Sequence, residues 1–257
     1  MRLPYKHAMT VAAHRGDSYN YYENTITAFE KSIEVGADMI ETDVRLSKDG
    51  YLVLMHDAAV VRTTGAEGSI AEMTLEEIRA LNAGDVNHPE TVPLLEDVLK
   101  LCAKHNVMLN IEIKEYYSEE NEARCAKCID GCIALVQQYD MADRIVLNSF
   151  DAWVLEYVYK KHGKKYMLHG FYPYDKMSNV SINPDEYLYC ACLWGNGQCD
   201  KANYDALIEK GIEPWIGASI TQAYKLALCA SYGAKLITTN HPADAIEKLE
   251  KHGYRSK

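Results

Sequence analysis

Met39-Ile40-Glu41-Thr42-Asp43-Val44-Arg45-Leu46, continued by Ser47-Lys48-Asp49-Gly50-Tyr51-Leu52-Val53-Leu54-Met55-His56-Asp57, is the stretch on which the fold of this 257-residue chain turns. Met39–Asp43 is a short apolar, β-rich run carrying two acidic residues at alternate positions, so Glu41 and Asp43 leave a strand on the same side. Val44–Leu46 and Tyr51–Met55 flank Lys48-Asp49-Gly50, and Asp-Gly is a strong turn signal, so we read a hairpin that prolongs the strand. Runs of the same character occur outward from it at Thr10–Ala13, Met108–Lys114, Arg144–Asn148, Tyr166–His169, Tyr187–Cys192, Glu213–Ile216 and Lys235–Thr239. Between them lie helical patterns at Thr25–Val35, Leu94–His105, Asn121–Tyr139, Trp153–His162, Lys201–Lys210, Thr221–Ser231 and Ala243–Lys251, most with apolar residues three and four apart. Strands alternating with helices predict a parallel sheet, and eight such units predict an α/β fold of the (β/α)₈ (TIM) barrel type, one domain over residues 1–257. Tyr172–Glu186, rich in Pro, Ser and Asn, yields no readable helix. Asp57–Asn106 holds a Gly-containing loop and a helix near Leu75–Leu81 before the barrel's own helix, which predicts a small insertion within roughly 44–93, over the barrel mouth.

A hydrophobic content of 48% suffices for one sizeable core. The net charge of −10 repels nucleic acid and anionic lipid surfaces, so neither a nucleic-acid partner nor stable membrane association is expected; oligomeric state stays open. No stretch approaches the roughly 18 apolar residues of a membrane span, and Met1–His7 has no apolar run after its basic residues, so a soluble, cytoplasmic chain is expected. The eight cysteines then read as reduced thiols, with Cys125, Cys128 and Cys132 spaced as the buried face of a helix.

Functional groups of such barrels gather at the C-terminal ends of the strands. Here those ends carry His14-Arg15-Gly16, Glu41-Thr42-Asp43, His56-Asp57 at the end of the hairpin, and Glu112-Ile113-Lys114. One carboxylate at a barrel mouth reads as a salt-bridge partner. Glu41, Asp43 and Glu112 together read as an oxygen site for one hard divalent cation, Mg²⁺ or Ca²⁺. His14 and His56 are the candidate acid–base groups, because imidazole titrates near neutrality. The other seven histidines, including His169, read as packed or surface residues. Arg15 and Lys114 offer fixed positive charge to a phosphoryl group, and Gly16 would let the backbone turn closely beneath a ligand. Glu23 is read as orienting His14 or Arg15, with Asn24 beside it in support or, like Thr25, as an N-cap. From the aromatic residues, Phe150, Trp194 and Trp215 are the candidates for a substrate pocket.

In this order, His14-Arg15-Gly16, Glu23-Asn24-Thr25, Gly36-Ala37-Asp38, Glu41-Thr42-Asp43-Val44, Lys48-Asp49-Gly50, His56-Asp57, Arg62-Thr63-Thr64, Gly68, Thr74-Leu75-Glu76-Glu77-Ile78 and Glu112-Ile113-Lys114 resemble the glycerophosphodiester phosphodiesterase family. The resemblance is dense over Val11–Lys114 and thins to Asn148-Ser149-Phe150 and a glycine before the last strand. It implies a barrel with a small insertion, a divalent metal on Glu41, Asp43 and Glu112, His14 and His56 as the acid–base pair, and Arg15 and Lys114 on phosphate. The implied reaction is hydrolysis of a glycerophosphodiester to glycerol 3-phosphate and an alcohol, through a cyclic phosphate formed by the substrate's own neighbouring hydroxyl. Alternatives are a lysophospholipase D-like lipid phosphodiesterase and a barrel that binds phosphodiesters without turnover. Three positions depart from the family: Thr239-Asn240-His241-Pro242 stands for Thr-Asp-x-Pro, Trp215-Ile216-Gly217-Ala218 for Trp-Thr-Val-Asn, and Tyr22 for the usual Pro. They are expected to bear on the substrate and to leave the metal site and histidines untouched.

Overall fold

The computed structural model describes residues 2–256. Its strands are β1 (Thr10–His14), β2 (Met39–Leu46), β3 (Leu52–Leu54), β4 (Met108–Ile113), β5 (Ile145–Asn148), β6 (Met167–Tyr172), β7 (Cys190–Leu193), β8 (Glu213–Ile216) and β9 (Leu236–Thr239). All but β3 pair in parallel in chain order, and β1 pairs with both β2 and β9, so the sheet closes on itself as an eight-stranded barrel. The strand β3 pairs antiparallel with β2, Val44 opposite Leu54, and bridges Leu94 through Val53. It is the return arm of the hairpin, and Gly50 at φ +93° takes the left-handed position of its turn.

The helices are α1 (Ile26–Glu34), α2 (Val61–Thr64), α3 (Leu75–Arg79), α4 (Leu95–His105), α5 (Glu122–Gln138), α6 (Ala152–His162), α7 (Lys201–Glu209), α8 (Ala223–Tyr232) and α9 (Pro242–Lys251). Thr25 caps α1, accepting the Ala28 N–H at 3.2 Å. The β6–β7 connection carries only 3₁₀ turns at Tyr174–Lys176 and Pro184–Glu186, the segment whose Pro- and Asn-rich composition gave no helical period. The insertion contains α2 and α3 around its own small apolar cluster of Val53, Met55, Val60, Ile70, Ile78, Ala83 and Val92. Cys125, Cys128 and Cys132 lie on the buried face of α5, as their spacing predicts.

Inside the barrel, each of the eight strands contributes one residue to a buried layer: Ala12, Met39, Met108, Val146, Met167, Cys190, Trp215 and Leu236, with Leu3 packed below. This layer plugs the barrel, and the cavity opens towards the C-terminal strand ends. Trp215 is part of that plug and fully buried, which corrects its expected place in a substrate pocket. At Gly16, φ +82°, an added Cβ would stand 2.6 Å from the Ala28 carbonyl carbon, so this glycine lets the β1 loop pack on α1.

Candidate active site

Two residues beyond the plug, the strands present polar side chains to one cavity of about 500 Å³. His14, Arg15, Glu41, His56, Glu112 and Lys114 face it from β1–β4, and Phe150, Phe171 and Trp194 from β5–β7. Register explains the convergence. His14 is the partner of Glu41, and Asp43 that of Glu112, so adjacent strands end at the same height.

The carboxylates of Glu41, Asp43 and Glu112 are buried, and one oxygen of each lies within 4.8 Å of the others. Lys114 Nζ sits between two of them, 3.2 Å from Asp43 Oδ1 and in contact with Glu112. Arg15 Nε is 3.0 Å from Asp43 Oδ2. Three negative charges thus face two positive ones. Burial, then Asp43 and Glu112, push the Glu41 carboxyl well above its ordinary range. Burial also acts upward on Asp43, but Lys114, Arg15 and the Asn24 amide outweigh it and hold that carboxyl down. Asn24 supplies this support from the start of α1: its Nδ2 donates to Asp43 Oδ2 at 2.9 Å and its Oδ1 accepts from Thr42 at 2.7 Å. Arg15 and Asn24 both hold φ of +57°, a costly conformation kept where the carboxylates are supported.

The two imidazoles have different partners. His14 Nδ1 donates to Asn240 Oδ1 at 2.6 Å, leaving Nε2 3.8 Å from Glu41 Oε2. Burial and Arg15 pull this imidazole to about 4. His56 Nδ1 is 2.6 Å from Asp57 Oδ1. Asp57 is gripped by Arg62, whose Nη2 reaches Glu23 at 2.6 Å, and Glu23 returns to Arg15 at 3.2 Å. Burial raises the Asp57 carboxyl, yet the Arg62 and His56 hydrogen bonds overcome it and hold the group at about 2. Arg45 ties the layers together from outside, donating to the His56 carbonyl at 2.7 Å and to the Lys114 carbonyl at 3.2 Å.

Every charged residue singled out in the sequence therefore lies in one cluster, with Glu23 and Asn24 supporting Arg15 and Asp43. Phe150 and Trp194 face the cavity, their ring planes nearly perpendicular with centroids 5.4 Å apart. Asn240 departs from expectation: a position read as remote from the histidines is the hydrogen-bond partner of His14. The only sequence signal was its place one residue past the last strand, where barrel residues turn inward. Asn110, Asn148, His169 and Gln198 also line the cavity. Asn110 was findable as the residue two before Glu112, and His169 as one of the inward positions of β6.

The model of the glycerophosphoryl diester phosphodiesterase family matches residues 14–206. A glycerophosphodiester phosphodiesterase from Caldanaerobacter subterraneus is 40% identical over 158 residues, covering 58% of this chain and 61% of the relative, so the match spans less than two thirds of that protein's length. Among solved structures, a glycerophosphodiester phosphodiesterase from Parabacteroides distasonis superimposes with a TM-score of 0.78 at 22% identity, covering 97% of this chain and 100% of that one. An Oleispira antarctica phosphodiesterase, solved in complex with the product sn-glycerol-3-phosphate, does so with a TM-score of 0.77 at 21% identity, covering 94% and 96%. At these identities the structures speak for the fold, and the family match carries the relationship: this chain belongs to the glycerophosphoryl diester phosphodiesterase family.

Proposed function

We propose that the protein hydrolyses glycerophosphodiesters to glycerol 3-phosphate and an alcohol, using one divalent cation, Mg²⁺ or Ca²⁺. The observation that carries this reading is the convergence of two imidazoles, three carboxylates and two cationic side chains on one cavity. The donor set fits a hard cation. Three buried oxygens lie close together, Glu41 Oε1 is buried with no hydrogen-bond partner, and Arg15 and Lys114 leave one negative charge uncompensated. Bound there, the cation supplies charge neutralisation at the phosphoryl oxygens and acidity at the attacking hydroxyl.

The chain's own residues do the rest. Asn240 holds the His14 proton on Nδ1, so Nε2 is free to take a proton on the side of the carboxylates. Asp57 and Arg62 hold the His56 ring in place. One imidazole withdraws the proton from the attacking oxygen and the other protonates the departing alkoxide. The attacking oxygen is the substrate's neighbouring hydroxyl, giving a cyclic phosphate that water opens. Arg15 and Lys114, shared with the carboxylates, contribute the positive field in which the phosphate sits. The Oleispira antarctica phosphodiesterase, with sn-glycerol-3-phosphate as its product, supports this substrate class.

The proposal includes one barrel domain over residues 1–257 and a cytoplasmic location, the latter supported by reduced thiols packed in the core. Among the described residues no helix is long and apolar enough to cross a membrane. The test is release of glycerol 3-phosphate from glycerophosphocholine and glycerophosphoethanolamine with added Mg²⁺ or Ca²⁺, comparing the unaltered protein with His14→Ala and Glu41→Ala. We expect turnover only in the unaltered protein; equal rates in all three would sink the assignment.

A further inference from the structure

One layer above the apolar plug, level with Glu41 and below Asp43 and Glu112, lies a group of side chains that the proposed reaction does not use. Asn110 follows Met108 by two residues on β4, Asn148 follows Val146 on β5, and His169 follows Met167 on β6, so all three point inward one layer above the plug. They line the cavity, and their exposures of 0%, 2% and 3% make them its buried floor.

This floor is polar and incompletely bonded. The Asn110 amide nitrogen and His169 Nδ1 are 3.2 Å apart, so Nδ1 accepts and the imidazole proton sits on Nε2. His169 Nε2, Asn110 Oδ1 and Asn148 Oδ1 then have no hydrogen-bond partner. Turning the Asn110 amide over merely exchanges the roles of its two ends, leaving one donor and one acceptor open. Burial pulls the His169 imidazole down to about 3, so these three side chains are neutral. Buried donors and acceptors left open cost free energy unless a ligand or water completes them. A hydroxyl completes both kinds at once. None of the three side chains offers a counter-charge to a cationic head group, and the stacked rings of Phe150 and Phe171, 3.5 Å between centroids, offer an apolar wall to the carbon chain beside it.

We infer that Asn110, Asn148 and His169 form a hydroxyl-binding subsite that takes the uncharged polyol arm of the substrate, end first, beside Glu41 and beneath Asp43 and Glu112. The inference rests on the phosphodiester reading of the site and adds to it which end of the substrate is buried, and by which residues.

The test compares glycerophosphoethanolamine with 2-hydroxypropyl phosphoethanolamine, which keeps the hydroxyl next to the phosphate and lacks only the terminal one. Ethanolamine release with Mg²⁺ reads kcat/KM for both. The expected preference for the glycerol compound is about tenfold or more, because a site built to bond a hydroxyl rejects the analogue without it. In Asn148→Leu and His169→Phe that ratio should collapse towards one. A second measurement needs neither turnover nor a variant: calorimetric binding of sn-glycerol 3-phosphate against 2-hydroxypropyl phosphate to the unaltered protein, where the glycerol compound should bind tighter by a similar factor. Turnover of both diesters at equal kcat/KM, or variants that weaken both alike, would overturn the subsite and leave the reaction standing. Tighter binding of sn-glycerol 3-phosphate without turnover of either diester would overturn the reaction and support the subsite. Equal binding of both phosphates would show the open atoms to be served by water.

Discussion

The two sides of the cavity are built by different means. On the β1–β4 side the side chains are ionised or ionisable, and each is held by another: Asn24 on Asp43, Glu23 and Asp43 on Arg15, Asp57 on His56, Arg62 on Asp57. On the β5–β9 side the lining is neutral, with Phe150, Phe171 and Trp194 in mutual ring contact and Asn148, His169 and Gln198 around them. Charge taken out of water must be compensated in place, which demands fixed partners, whereas apolar surface tolerates changes of shape. On the proposed reading, the reaction belongs to the first side and the choice of substrate to the second. Substitutions on the two sides should therefore move different kinetic constants.

The largest effect belongs to the charged side. His56→Ala should lower kcat by roughly 10²–10⁴-fold, the range for loss of a general acid or base, while the circular dichroism spectrum stays unchanged. A loss of only a few-fold would remove His56 from the chemistry. Next is Asn24→Ala, which strips a hydrogen bond from a candidate metal ligand and should weaken Mg²⁺ or Ca²⁺ affinity by about 10–100-fold in a calorimetric titration. Unchanged affinity would mean that Asp43 is not a ligand. Asn240→Ala should cost about tenfold in kcat with KM little changed, the equivalent of one hydrogen bond that orients His14. If KM moves instead, Asn240 belongs to the substrate side of the comparison.

The same contrast governed what could be read from the chain. Strands buried on both faces appear as compact apolar runs, and at their ends Glu41, Asp43, Glu112, His14 and His56 stood out because ionisable residues are rare in such company. The neutral side gave no such signal. Tyr166–His169 was read as a strand that stops too early, and β6 in fact runs to Tyr172, bringing Phe171 inward past Gly170. Gln198 lies in a 3₁₀ turn, Gly195–Cys199, which has no side-chain period to detect, yet it faces the cavity and ties Gly217 at 2.8 Å. Trp215 stands out as a large aromatic near a strand end, but the residues beyond it, Gly217, Ala218 and Ser219, are those that line the cavity. Asn240 could be recognised as a departure, while its contact with His14 depends on β1 and β9 being neighbours, a consequence of barrel closure.

The mildest substitution is the sharpest probe of the division. Trp194 is about half exposed (48%), and its ring meets Phe150 at 5.4 Å and Phe171 at 6.1 Å, both edge-on. Phe150 would be the poorer choice, because Lys114 Nζ stands 5.9 Å from its ring centroid, so truncating it would disturb a cation of the charged side. Among the described residues no cation lies over the Trp194 ring, and its backbone N–H donates to the Tyr172 carbonyl at 3.0 Å whatever the side chain. Trp194→Ala should forfeit edge contacts worth about 0.5–1.5 kcal/mol each, a small fall in melting temperature. Opening the wall should raise KM for glycerophosphodiesters by about threefold while kcat stays within about twofold, since uniform binding is lost and transition-state contacts are kept. A fall in kcat approaching that of His56→Ala would mean that the aromatic wall also sets the geometry of the reacting groups, and the two sides could no longer be treated as separate.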